Sequence, residues 1–147
     1  MKKFIVIGLI FMLCLSIKSK AQSAADTLAI NKTILNYLEG YYTGDELRME
    51  KALFRDLAKR FITPERNGKN EIKHMTAMQL VEYTRRKNDD TPKKGTLITK
   101  IKIFEIYDKV AIARSEGDKI NFVDFFHLGK VNGEWKIVNV IWAFEPK

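Results

Sequence analysis

An α+β domain is the fold class this sequence predicts: three helices first, then four antiparallel strands, with the helices packed on one face of the sheet. Three observations predict it. Apolar residues recur at helical spacing through the first half of the chain, and from Leu97 onward the residues are strand-forming and broken only by short turns. Asn132-Gly133 also sits between two long strand-forming runs, and Asn-Gly tolerates the positive φ angles of a tight type I′ hairpin turn.

The first element in the chain is a leader. Lys2 and Lys3 precede an apolar run, residues 4–17, that is short for a membrane span, and Ser19-Lys20-Ala21 offers the small residues a signal peptidase reads. Cleavage is expected after Ala21, leaving residues 22–147 as one domain, periplasmic or secreted, with no membrane segment. A lipid anchor at Cys14 is disfavoured by the bulky Leu13 before it. The leader takes four of the 26 basic residues and none of the 18 acidic ones, so the net charge falls from +8 to +4. Cys14 is the only cysteine and leaves with it, which excludes a disulfide or a thiolate nucleophile.

Ser23 with Asp26 three residues on reads as a helix start. Ile30, Ile34, Leu38 and Tyr41 then fall on one face, and Gly44 ends the helix. Asp45 caps a second helix that carries Leu47, Met49, Ala52, Leu53 and Leu57. Residues 61–63 and 71–75 flank Asn67-Gly68 as a short hairpin or extended loop. Thr76-Ala-Met-Gln79 is a capping box for a third helix running to about Lys87, burying Met78, Leu80, Val81 and Tyr83. After a loop at residues 88–95, strands are expected at 97–107 and 110–116, ahead of the long hairpin.

With Asn132 and Gly133 as the loop, an unbroken ladder sets Leu128 opposite Ile137, Phe126 opposite Asn139 and Asp124 opposite Ile141. One face then carries Phe122, Asp124, Phe126, Leu128, Trp135, Ile137, Asn139 and Ile141. The other carries Val123, Phe125, His127, Val138, Val140, Trp142 and Phe144. Both are apolar, so both must be covered.

Four stretches carry a family resemblance: Tyr37-Leu-Glu-Gly-Tyr-Tyr-Thr-Gly-Asp45, Leu57-Ala-Lys-Arg60, Asp124-Phe-Phe-His-Leu128 and Gly133-Glu-Trp-Lys-Ile-Val-Asn139. With the order of elements, they resemble the nuclear transport factor 2-like superfamily, and within it the small exported bacterial branch named "Putative lumazine-binding". The resemblance spans essentially all of residues 22–147. It implies a cone, a curved sheet wrapped around a cavity and closed by helices, that dimerises through the outer sheet surface.

In such a cone the face holding Asp124, Phe126 and Asn139 becomes a pocket wall, because it sets polar groups among aromatics. Tyr41 and Tyr42 join them as ligand-binding candidates, against the alternative that they are core. Asp124 is either a buried carboxylate satisfied by its neighbours or a general base with a raised pKa, as the resemblance to scytalone dehydratase and ketosteroid isomerase implies. An Asp124-His127 dyad fails on geometry, since residues three apart on a strand point to opposite faces. Two histidines without nearby carboxylate spacing predict no metal site, and no nucleophile elbow or phosphate loop occurs. Arg85-Arg-Lys87, Lys93-Lys94, Lys100 and Lys102 lack interleaved aromatics, so nucleic acid is not expected as a partner. The expectation is an exported, non-catalytic small-molecule-binding homodimer without a cofactor. The alternative is a lyase or isomerase using Asp124 for proton transfer. A cone filled by Phe122, Phe126 and Trp135 would leave room for neither.

Overall fold

The structure, a computed structural model, describes residues 24–63, 67–90 and 96–145. The expected leader, with Cys14, and the expected helix start at Ser23 lie outside them. Helix α1 runs over residues 24–43 and turns its Ile30, Ile34, Tyr37 and Leu38 face into the core. Gly44 takes a φ of 76°, and the Asp45 carboxylate accepts from Arg48 N at 3.0 Å to start α2, Glu46–Ala52. The remaining elements are β1 (Leu53–Ile62), β2 (Ile72–Thr76), α3 (Ala77–Asp90), β3 (Thr99–Tyr107), β4 (Val110–Gly117), β5 (Phe122–Val131) and β6 (Glu134–Phe144).

These strands make one six-stranded sheet in the order β2-β1-β6-β5-β4-β3, with three helices packed against it. The predicted class therefore stands, with six strands where four were expected. The sheet is mixed, because β1 pairs parallel to β6 while every other pairing is antiparallel. The chain gains β1 at the expense of the second helix, which stops at Ala52 rather than continuing through Leu57. Helix propensities differ by only about 0.7 kcal/mol per residue, so pairing on both edges of β1, parallel to β6 and antiparallel to β2, decides the matter. The hairpin expected around Asn67-Gly68 is β1 with β2, and Thr76 and Gln79 form the capping box reciprocally at 3.3 and 2.9 Å. On α3, Leu80 and Thr84 are buried, whereas Met78 and Tyr83, expected in the core, are exposed.

The Asn132-Gly133 turn forms with φ of 51° and 85°. Leu128 faces Ile137 as expected, but the next pair is His127 with Asn139, so Val138 is an extra residue on β6. This β-bulge slips the register by one, and one residue of slip moves every later side chain to the opposite face. Phe126 now pairs with Val140 and Asp124 with Trp142. Val140 and Trp142, expected outside, belong with Asp124 on the helix-covered face; Asn139 and Ile141 exchange places with them.

Candidate functional site

Three polar side chains from three distant parts of the chain meet in the core. The Lys59 Nζ lies 3.3 Å from Asp124 Oδ1, the Tyr37 hydroxyl donates to the same oxygen at 3.3 Å, and Lys59 Nζ donates to the Tyr37 hydroxyl oxygen. Tyr37 is placed by the buried face of α1, where its ring packs edge-on to Phe126 at 5.3 Å. Lys59 comes from β1, where period-two alternation points Leu57 and Lys59 inward, and Asp124 comes from β5. The carboxylate is wholly buried and the lysine side chain is 7% exposed. Asp124 Oδ2 has no hydrogen-bond partner among the described residues, and neither does the hydroxyl of buried Ser115, its cross-strand neighbour on β4.

Lys59 also forms the floor of a cavity of about 360 Å³. Phe61, Trp142 and Phe144 make one wall, with Phe61 and Trp142 stacked at 4.4 Å between centroids. Tyr41, Tyr83 and Phe122 make another, with Tyr41 stacked on Tyr83 at 6.2 Å and edge-on to Phe122 at 5.3 Å. Met75 and Leu80 add apolar surface, and Lys73, His74 and Asn121 bring polar groups to the rim. No carboxylate lines the cavity among the described residues. Such a volume, mostly apolar with a few convergent polar atoms, is the usual form of a small-molecule site.

The electrostatics of the triad follow from its burial. Loss of water pushes the Asp124 carboxyl up from the ordinary carboxylate range, and the Lys59 cation and Tyr37 hydroxyl pull it only part of the way back. Burial pushes the Lys59 amine down, with Asp124 opposing. The Tyr37 hydroxyl is held well above its usual value by burial first and by Asp124 second. Tyr41 moves in the same direction, through burial and its neighbour Tyr83. Burial thus works on both members of the Nζ–Oδ1 contact toward their neutral forms, and their mutual attraction opposes it.

The residues expected to form the site divide. Tyr41 lines the cavity. Asp124 sits behind Lys59 and reaches the cavity only through that side chain, and Phe126 is buried in the core behind Tyr37. Tyr42 is likewise a core residue outside the lining. Asn139 is corrected to the opposite sheet face by the Val138 bulge, where its amide meets His127 Nδ1 at 3.3 Å and Arg60 donates to its Oδ1 at 2.7 Å. The cone is not filled: Phe122 bounds the cavity, while Phe126 and Trp135 pack away from it. Lys59 is the residue that sequence reasoning missed. Its signal was the alternation Leu57, Lys59, Phe61, which reads as a strand face once the charge in the middle is accepted as internal.

Comparison with known proteins places this geometry. A nuclear transport factor 2-like protein of unknown function from Shewanella baltica shares 23% identity and superposes with a TM-score of 0.71, over 84% of this chain and 97% of that one. One from Methylobacillus flagellatus shares 24% identity with a TM-score of 0.64, over 83% and 94%. A ketosteroid isomerase-like protein from Erwinia carotovora shares 15% identity with a TM-score of 0.54, over 82% and 96%. At these identities the likeness is one of fold. No curated protein matches the sequence. The fold is that of the nuclear transport factor 2-like structures, and the model of the family described as "Putative lumazine-binding" matches residues 25–143, by which match the chain belongs to this family.

Proposed function

We propose that this protein is exported, binds a small, largely aromatic molecule in the cavity above Lys59 without transforming it, and works as a homodimer. The observation that carries the reading is the cavity itself, whose two aromatic walls converge on a single buried cation. Stacked pairs such as Phe61 with Trp142 offer flat faces to a planar ring. The Lys59 amine offers a polar end point. The family's name suggests the first molecule to try, a lumazine-type fused heteroaromatic, which is flat and of suitable size. Export rests on the signal-like residues 1–21, and the dimer on the exposed apolar residues of the outer sheet face, Ile112, Phe125 and Ile141.

One experiment reads all three parts. Native mass spectrometry of the protein purified from its own host is expected to show a dimer of chains beginning at Gln22, with each chain carrying a small-molecule mass that denaturation releases. A chain retaining residues 1–21, a monomer, or an unliganded chain that also fails to bind planar heteroaromatics would remove the corresponding part.

A catalytic reading, a lyase or isomerase using Asp124 for proton transfer, has one observation in its favour. Burial raises that carboxyl, as a general base near neutral pH needs. The burial of Asp124 behind Lys59 means that any proton it takes from a ligand passes through the amine.

A further inference from the structure

We propose that Lys59 captures carbonyl compounds: its Nζ forms a reversible imine with an aldehyde or ketone borne by an aromatic molecule in the cavity. This deepens the binding reading and rests on it. Two lysine amines line the cavity among the described residues, and only one is built for this chemistry. Lys73 at the rim is exposed and paired with Glu71 at 3.2 Å, as an ordinary solvated lysine is. Lys59 is fixed by two oxygens, Tyr37 Oη and Asp124 Oδ1, and its Nζ lies 4.9, 5.5 and 5.4 Å from the ring centroids of Tyr37, Phe122 and Trp142. Those rings exclude water, which otherwise hydrolyses imines and solvates the ammonium form. A desolvated lysine in an apolar pocket is the usual activated amine nucleophile.

The atoms balance within the triad. The ammonium gives one proton to the Asp124 carboxylate across the 3.3 Å contact. The freed lone pair on Nζ attacks the carbonyl carbon, and the C=O π pair moves to oxygen. Nitrogen then passes a proton to that oxygen, with the Tyr37 hydroxyl, in contact with both Nζ and Oδ1, as the relay. The proton held by Asp124 returns through the amine nitrogen to the carbinolamine hydroxyl, which leaves as water while the nitrogen lone pair closes the C=N bond. The products are an iminium cation beside a carboxylate, and water; nothing is oxidised or reduced. The iminium occupies the place of the ammonium among the three rings and against Asp124, so the burial of the carboxylate stays compensated. The absence of a carboxylate from the described lining and the aromatic walls select an aromatic carbonyl compound over a sugar or an amine.

The test uses the full chain with naphthaldehyde and sodium cyanoborohydride near neutral pH, and naphthylmethanol as the partner of the same shape that cannot form an imine. Binding is read by quenching of Trp142, since Trp135 is buried away from the cavity, and capture is read by peptide-mapped mass spectrometry. The expected result is quenching by both compounds and one reduced adduct per chain on Lys59, formed at least about tenfold faster than on any surface lysine. Lys59→Arg keeps a cation beside Asp124 and should lose the adduct, because a guanidinium does not form the reducible imine. Quenching by naphthylmethanol with no adduct on Lys59, or with adducts spread over surface lysines, overturns the imine and leaves the binding site standing. No quenching by either compound and no Lys59 adduct overturns both. If Lys59→Arg does not fold, the adduct map of the unaltered chain decides.

Discussion

Burial of Lys59 and Asp124 costs each its hydration, and their mutual contact offsets that cost only while both are present. Lys59→Met leaves an uncompensated carboxyl at a site with no solvent, and a loss of about 3–5 kcal/mol is expected. Lys59→Met with Asp124→Leu should recover most of it, because an apolar pair needs no hydration. Chemical denaturation of both variants checks this, and a double replacement as unstable as the single one would show that the pair does more than neutralise itself. The single variant also has a pH signature. Asp124 already sits above the ordinary carboxylate value through burial, and Lys59 is the largest influence holding it down, so removing the lysine raises it further. A folded pKa above the unfolded one, about 3.9, contributes stability that is full below the unfolded value and is lost as pH rises through the folded one. Lys59→Met should therefore be more stable in mild acid than at neutral pH. Asp124 was legible in the sequence as a carboxylate among aromatics. Lys59 was not, because a lysine three residues from Asp56 reads as a solvated helix position until β6 is known to pair beside it.

The elements that differ from expectation do so where a distant partner decided the outcome. The α2–β1 junction at Ala52–Leu53 depends on β6, more than seventy residues away, which no local pattern could announce. The Val138 bulge has a weaker local signature, since Ile137, Val138, Val140 and Ile141 are all apolar and the run holds no strict alternation that a slip of one residue would visibly break. By contrast, the Thr76 capping box, the Gly44 stop and the Asn132-Gly133 turn were all legible, because each is specified by the residues that form it. One further element contact is specified by a residue's absence of side chain. A Cβ on Gly40 would lie 2.9 Å from Met49 N and 3.0 Å from Asp45 O, so α1 and α2 approach there backbone to backbone. Neither atom can swing aside as a flexible side chain would. Gly40→Ala is expected to cost about 1–3 kcal/mol through this overlap, despite the better helix propensity of alanine. Thermal unfolding of the variant checks it; an unchanged or raised midpoint would mean that the helix pair separates freely.

At the scale of the whole molecule, the sheet has one face under the helices and cavity and one without cover from the described residues. On that outer face Ile112, Phe125 and Ile141 are each more than 40% exposed, and Phe125 pairs directly with Ile141. The bulge at Val138 helps to create this surface, since it turns Ile141 outward and brings Trp142 in to the cavity wall. The same slip therefore shapes the cavity and the exposed apolar surface, and the two can be separated by mutation because they lie on opposite faces. Phe125→Glu places a carboxylate in the centre of the apolar face, where desolvating an unpaired charge opposes association. Light scattering coupled to size exclusion should report a dimer for the unaltered chain and a monomer for Phe125→Glu. Quenching of Trp142 by a cavity ligand should remain at its original strength in the variant, because Phe125 touches no part of the cavity lining. A monomer in the unaltered chain would overturn the dimer. Loss of quenching on Phe125→Glu in a folded chain would mean that the outer face supports the cavity, so that binding and association are one property of the sheet rather than two.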